Sequence, residues 1–591
     1  MSSENNKKEL LDKIKVLQSV VQSIARETDH NKLLEITVRG AKELTNADGG
    51  TLYVRTDNNH LKFEILINSS LGIHIGGTSY EKAHFDPLPL LLEGQPNHSN
   101  VAAHCVLADK IINLEDAYLT DEFDFSGARN FDKKTGYRSK SFLTIPLKNH
   151  EKEIIGCVQL INSLDSETGE IVSFAAEDQI FAEFLATLAA NALTNFELIQ
   201  QQERLFDAFA QVIASAIDDK SPHTGQHCKR VPEITMMLAE AACEADWGPF
   251  KDFSMTDIEK RELQLAALLH DCGKITTPVH VIEKGTKLET IIDRIHLVDT
   301  RFGVIKRDAE ISALKKKLEL YEQNNASEAT LAQIDENLKT EISNLNSDRE
   351  FIREVNIGGE FLADEKVERI KAISRRKWTN EEGIQENFLN FNEVSCLSIR
   401  KGTLTAEERE IINRHIDVTI MMLEQLPYPK HLARIPEFAG GHHERMDGKG
   451  RPKGLTKDQM SLQARIMGTA EIYEALTARE RPYKKGKSLS ESLKILGYMK
   501  EDQHIDPDVF QLLIESGIFM EYARLHVDPK QIDKVDLGSV PGFDLQTALK
   551  RSTSRLKKLF ENDELQSKEV ESLNSASETE NKEKTSIESA S

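Results

Sequence analysis

In "KLLEITVRGAKELT" apolar residues return at helical spacing, and in "GGTLYVRTDNNHLKFEIL" the period changes to two. The change predicts a helix and then two strands that alternate inward and outward around the turn Asp57, Asn58, Asn59. "SFLTIPL" and "EIIGCVQLIN" repeat the strand pattern around "KNHEK", so a second hairpin is expected. An amphipathic helix leads the chain over residues 1 to about 30, and a long helix is expected over about 178 to 215. Helical spacing dominates from about 205 to 290 and again from about 403 to 525. In the latter, "TAEEREIINRHIDVTIMMLEQL" reads as one amphipathic helix opened by the capping pair Thr405 and Glu408. Between these regions, residues 291 to about 400 are rich in Lys, Glu, Leu and Ala. They read as an inserted helical hairpin or short coiled coil, either a solvated spacer or a partner-binding arm.

Composition narrows the class. The chain has 591 residues, 39% hydrophobic and 29% charged, enough for two to four domains with sizeable cores. A net charge of -22 gives no electrostatic reason to bind duplex nucleic acid, and a phosphate-bearing ligand would need local cations or metal ions. No uninterrupted apolar run approaches the roughly 20 residues of a membrane span, and no signal peptide pattern opens the chain. The six cysteines contain no Cys-x-x-Cys pair, so a cytoplasmic protein with reduced thiols is expected. The tail after about 561 lacks Gly, Pro and aromatics and is expected to be disordered.

The candidate chemistry lies in the helical region. "LAALLHDCGKITTP" ends an apolar helix on His270 and Asp271, with Cys272 as a small packed side chain and Lys274 following. One such His-Asp pair is expected by chance, so its weight depends on company. "SPHTGQHCKRVPE" sets His223 and His227 four residues apart, with Pro232 limiting or bending the helix. His415 shares the apolar side of its helix with Ile411, Ile412, Val418 and Met422, where alone it reads as a buried structural histidine. His442 and His443 in "AGGHHERMDGKGRPKGL" would diverge by about 100° on a helix and reach different partners. "QARIMGTAEIYEALTARERPYK" presents Glu471 and Glu474, with Arg479, Arg481 and Lys484 beyond. His227, His270, Asp271, His415, His442, His443 and Glu471 together form an imidazole–carboxylate set without thiolate. That set suits iron, manganese or zinc, and a bridging carboxylate lets two ions sit about 3.5–4 Å apart for phosphate ester hydrolysis.

Two resemblances follow. "NFDKKTGYRSKSFLTIPLKNHEKEIIGCVQLIN" resembles a GAF domain, the small α/β sensory fold. Asn162, Phe174 and Asp178 match the signature of its cyclic-nucleotide-binding members, while Ser163 and Gln179 depart from it. This implies either a ligand-sensing or a purely dimerising GAF domain. "HCKRV", "LLHDCGKI", "RHIDVT", "HHERMDGKGRPKGL" and "ARIMGTAEIYEALTARERPYK" resemble, in order, the motifs of the HD-GYP branch of the HD superfamily. That resemblance implies an all-α phosphohydrolase domain with two or three divalent ions, Fe or Mn foremost, Zn and Mg as alternatives. His227, His270, Asp271 and position 471 would hold one ion, and Asp271 would bridge to a second held by His415, His442 and His443. His223 is a candidate for a third. Lys274 would contact the phosphate, with Arg451, Arg481 and Lys484 as further substrate contacts. Where the family has Gly-Tyr-Pro this chain has Gly450, Arg451, Pro452, and Glu471 stands where the family has Asp.

The expected chain is therefore multidomain: helix 1–30, GAF domain 31–197, linker helix 198–220, HD-GYP domain 221–530 with the 291–400 insertion, and a segment 531–591. The implied function is a GAF-regulated, metal-dependent phosphodiesterase for cyclic di-GMP, acting as a parallel homodimer with signalling-protein partners. The alternatives are a catalytically weak or inactive signalling protein and a phosphodiesterase for another cyclic dinucleotide such as cyclic GMP-AMP.

Overall fold

The computed structural model describes residues 2–27, 29–79, 81, 85–220, 226–359, 361–380, 382–478 and 486–551. The chain divides into two compact units between Phe206 and Asp207.

The first unit begins with α1 (Ser2–Arg26) and α2 (His30–Thr45), the latter capped by the Asp29 carboxylate on the Lys32 N–H. Asn46, in the left-handed region at φ 46°, stops α2 and turns the chain into β1 (Ala47–Arg55). β1 pairs antiparallel with β2 (His60–Asn68), which pairs with β3 (Ile73–Gly76) and with the two-residue β4 (Leu88–Pro89). A two-rung ladder, β5 (Leu91–Leu92) with β6 (Gln95–Pro96), precedes α3 (Val101–Ala108) and β7 (Ile112–Leu114). After α4 (Ser126–Thr135), β8 (Phe142–Lys148) and β9 (Ile154–Leu164) complete the sheet in the order β3-β2-β1-β9-β8-β7, with β10 (Ile171–Val172) beside β9. Both hairpins expected from the period-two pattern are present. Alternation then separates two cores. Leu52, Ile145 and Val158 join α1, α2 and α5 (Ala176–Lys220) on one face, and Tyr53, Phe142 and Cys157 join α3 on the other.

The second unit is mainly helical. α6 (His227–Glu244) and α7 (Asp257–Leu269) pack together, and the single turn α8 (Val279–Ile282) leads to the insertion. α6 continues through Pro232 to Glu244. The insertion is a small body with its own core. α9 (Ile295–Glu322) and α10 (Glu328–Asn356) lie side by side, followed by α11 (Asp364–Ser374), a hairpin of β11 (Lys377–Thr379) and β12 (Gln385–Asn387), and α12 (Phe391–Leu397). Phe302, Ile352, Ile370, Phe388 and Leu397 bury themselves at its centre, so the segment is more than a solvated helical hairpin. Lys287 ties its two ends, donating to the carbonyls of Leu397 at 3.0 Å and Ile399 at 2.8 Å; burial pushes its ammonium down to about 8.

Beyond the insertion come α13 (Ala406–Asn413), α14 (His415–Glu424), α15 (Ile435–Gly440) and α16 (Leu462–Thr477), then α17 (Leu489–Glu501), α18 (Pro507–Glu515), α19 (Ile518–His526) and α20 (Leu545–Arg551). Two sequence expectations are corrected here. The segment after Thr405 forms two helices, α13 and α14, interrupted at Arg414. His442 and His443 follow the end of α15 in a turn instead of sitting on a helix. No helix among the described residues is long and apolar enough to cross a membrane.

Candidate metal centre

The last four carbonyls of an α-helix have no partner inside it. Three histidines of the second unit each use one. The Nδ1 atoms of His270, His415 and His442 lie 2.7, 2.5 and 2.5 Å from the carbonyl oxygens of Ala267, Ile412 and Ala439, in the last turns of α7, α13 and α15. Each Nδ1 donates to that carbonyl, which fixes the tautomer and turns a bare Nε2 outward. An unbroken helix through Arg414 would spend the Ile412 carbonyl on the N–H four residues on; the break at Arg414 frees it for His415.

The three Nε2 atoms face a common centre. His270 Nε2 lies 3.2 Å from Asp271 Oδ2 and 3.3 Å from Glu471 Oε2, and His415 Nε2 lies 3.2 Å from Asp271 Oδ1. His227, at the start of α6, reaches the centre from the other side, its Nε2 3.3 Å from both Asp271 Oδ2 and Glu471 Oε2. Its Nδ1 is held at 2.7 Å by Glu474, whose other oxygen accepts from Arg230 Nε at 2.8 Å. The exposed His443 ring lies tilted against His442 and edge-on to His415, at centroid distances of 4.3 and 5.4 Å. Lys274 Nζ stands 2.5 Å from Asp271 Oδ2 and remains partly open to solvent.

These residues fit a metal centre on an observation independent of any family. The Nε2 atoms of His227, His270, His415 and His442, with Asp271 Oδ1 and Glu471 Oε2, are buried and have no hydrogen-bond partner. Leaving one buried polar atom unpaired costs roughly 1–3 kcal/mol, so six converging in one place call for a shared partner. Three ligand groups fall within binding distance of one another: His227, His270 and Glu471; His270, Asp271 and His442; His415, His442 and His443. Asp271 faces two of them with different oxygens. The extra methylene of Glu471 does not keep its carboxylate away from the two histidines.

The charges suit a cation. Burial opposes ionisation of Asp271, yet Lys274 and His270 hold it well below the usual carboxylate range, and His227 and His270 do the same for Glu471. Burial, with His443 and His270 nearby, pushes the His442 imidazole well below its ordinary value, so it is neutral and available as a ligand. Burial would lower His227 too, but Glu471 and Glu474 outweigh it. Cys272 is buried and its thiol is pushed up to about 11 by that burial, which leaves it a packing residue.

The remaining sequence candidates stand elsewhere. Arg451 is paired with Glu410: its Nη1 is 2.9 Å from that carboxylate, and its N–H donates to the His443 carbonyl at 3.1 Å. His223, Arg481 and Lys484 lie outside the described residues. In the first unit, Asn162 fastens the loop before β8, accepting the Lys140 and Ser141 N–H groups at 2.7 and 3.2 Å and donating to the Arg138 carbonyl at 2.8 Å. Phe174 is a core residue, and Asp178 takes the Lys13 ammonium at 2.7 Å.

Sequence reasoning noticed Glu474 but gave it no role. The usable signal was its place three residues after Glu471, one helical turn along the same side. Because a carboxylate behind a ligating histidine raises its basicity and fixes its ring, Glu474→Gln is expected to weaken metal binding by about 10–100-fold. Titration of metal into the metal-free full chain, followed by calorimetry, measures this.

Comparison with known proteins assigns domain families to parts of the chain. Residues 29–193 match the GAF domain family, and residues 224–367 and 392–509 match HD domain families. The chain carries a GAF domain followed by HD domains. A 3′3′-cGAMP-specific phosphodiesterase of Vibrio cholerae serotype O1 is 34% identical over 27% of this chain and 33% of its own length. A cyclic di-GMP phosphodiesterase of Pseudomonas aeruginosa is 35% identical over 23% and 32%, and one of Thermotoga maritima 28% identical over 36% and 58%. The chain thus spans about a third of the length of the first two relatives. The HD matches lie on both sides of the insertion's β-hairpin, and every ligand candidate on the described residues falls within them.

Proposed function

We propose that the chain is a metal-dependent phosphodiesterase that opens a cyclic dinucleotide, cyclic di-GMP first among them, under control of its GAF domain. The observation that carries this reading is the convergence of six buried, unpartnered ligand atoms around Asp271. His227, His270, Asp271 and Glu471 would hold one ion, and Asp271 with His415, His442 and His443 a second; iron or manganese suits this imidazole–carboxylate set. Bound there, the ions supply Lewis acidity and an activated water at neutral pH. The protein's own part is positional. The helix-end carbonyls and Glu474 hold the imidazoles, the two carboxylates bring negative charge, and Lys274 at the rim offers its ammonium to a phosphate oxygen as charge builds.

A second substrate, cyclic GMP-AMP, is favoured by the Vibrio relative, and one experiment decides between them. The purified full chain, loaded anaerobically with Fe²⁺ or Mn²⁺, is incubated with cyclic di-GMP and with 3′3′-cyclic GMP-AMP, and linear products are resolved by chromatography. Metal-dependent opening of either dinucleotide supports the reading, and their ratio assigns the substrate. Tight dinucleotide binding without turnover in the loaded protein would instead make it a binding module.

For the sensor, we place the ligand in a cavity of about 510 Å³ in the GAF sheet, lined by aromatic residues such as Tyr53, Phe63 and Phe142. Among the described residues its lining includes Asp124 and no Lys, Arg or His. We place the dimer seam along α5, where Leu198, Leu205, Phe209 and Val212 are exposed at steps of seven, four and three. The six unpaired cysteines suit a reducing cytoplasm.

A further inference from the structure

α9 packs along α10, and Phe302 and Ala313 are buried there. A second apolar stripe runs along α9, rotated by about 120° from the first. Ile311 is 48% exposed, Leu314 64%, Leu318 59% and Tyr321 59%. Their steps of three, four and three are those of positions a, d, a, d in a heptad. Four large apolar side chains in a row facing water, on a helix already ordered by its neighbour, mark a contact surface.

We propose that this stripe is the seam of a parallel, in-register contact with the same helix of a second copy of the chain. The first pair of layers favours that partner, since a β-branched residue at a (Ile311) with leucine at d (Leu314) suits two parallel strands, while Leu318 at a and Tyr321 at d do not bear on strand number. The flanking charges favour it independently. In a parallel pair a g residue meets the e residue five positions on in the other helix. Glu310 then meets Lys315 of the partner subunit, and Lys317 meets Glu322 of the partner subunit, each pair occurring twice across the two-fold axis. An antiparallel pair layering Ile311 on Tyr321 of the partner subunit would instead set Lys315 against Lys315 of the partner subunit. Within the protomer, Glu310, Lys315 and Glu322 are exposed and make no ion pair among the described residues. Lys317 holds Asp335 of α10 at 2.6 Å, on the side of α9 where a g residue lies, so its ammonium can serve both carboxylates.

Four layers span only about 15 Å at 1.5 Å per residue, too short to hold two isolated helices. Here no helix has to nucleate, because α9 is folded against α10 beforehand. One heptad before Leu314 the d position is Arg307, which ends the apolar run. The contact therefore acts as a local clasp between catalytic units, separate from any pairing through α5.

Disulfide trapping in the full chain tests it, because the readout reports on this helix and not on total mass. At micromolar protein under mild copper-phenanthroline oxidation, Leu314→Cys is expected to form a covalent dimer at least about tenfold faster than Ser312→Cys, which points away from the seam. Adding Glu310→Lys to Leu314→Cys should slow trapping, and adding Lys315→Glu to that variant should restore it, because the g–e′ pair is re-formed with reversed signs. Trapping of Leu314→Cys no faster than Ser312→Cys overturns the proposal and leaves the stripe to a different protein. Failure of the charge reversal to restore trapping, or faster trapping between Leu314→Cys and Leu318→Cys chains, overturns the parallel register.

Discussion

Asp271→Asn is expected to lower cyclic dinucleotide hydrolysis by on the order of 1000-fold, and to leave the purified protein with less bound metal than the parent. Among the described residues, Asp271 is the one carboxylate whose two oxygens face different histidines of the cluster: Oδ2 faces His227 and His270, while Oδ1 faces His415. The amide keeps the shape but removes the charge, and it turns an NH₂ toward at least one of the two sets of bare Nε2 atoms. It also strips Lys274 of its carboxylate at 2.5 Å, so the rim cation loses its fixed position. Glu474→Gln touches Arg230 and just one of the ligand candidates, His227, which is why its expected effect is smaller. Metal analysis beside initial rates distinguishes the outcomes. Parent-level turnover by the Asn variant would remove Asp271 from the centre, and full metal loading with lost turnover would confine its role to charge.

Much of this organisation is legible in the chain because it depends on local periodicity. The switch from helical to alternating spacing marks β1 and β2, and the uninterrupted amphipathic run marks α5. Apart from Glu471, which lies inside α16, the ligand candidates stand at or beside helix ends, and their residue types restrict the chemistry. What the chain hides is set by hydrogen bonds that periodicity does not encode. Apolar spacing runs smoothly across Arg414, so nothing announces that α13 ends and frees the Ile412 carbonyl for His415. The small β11–β12 hairpin is likewise obscured, since its strands are only three residues each and inside a region with helical composition. Glu474 could be seen on α16, but its hold on His227 joins residues 247 positions apart. Arg451 adds a contact that spacing does not encode, an ion pair with Glu410 41 residues away.

Gly273→Ala is expected to cost about 1–3 kcal/mol of stability and, more tellingly, about 100-fold in turnover although every ligand is retained. A Cβ on Gly273 would sit 2.0 Å from the His415 carbonyl oxygen, 2.6 Å from the Thr419 nitrogen and 2.8 Å from its hydroxyl. Two of those three atoms are backbone, so relief requires the turn after α7 and the helix α14 to move apart. The same contact is stapled by the Gly273 N–H, which donates to Thr419 Oγ1 at 2.9 Å. Asp271 lies two residues before Gly273, and His415 belongs to α14, so any separation lengthens the 3.2 Å approach of Asp271 Oδ1 to His415 Nε2. The glycine is thus what lets one carboxylate reach both halves of the centre, although its own φ is not in the left-handed region. Thermal unfolding, metal content and turnover are measured together. If His415, His442 and His443 hold one proposed ion and His227 and His270 another, the position of the glycine predicts loss of the first and retention of the second, so metal per chain should fall by about one. Equal loss of both ions would instead indicate general unfolding of the unit, and unchanged stoichiometry with parent turnover would show that α14 can give way without disturbing the centre.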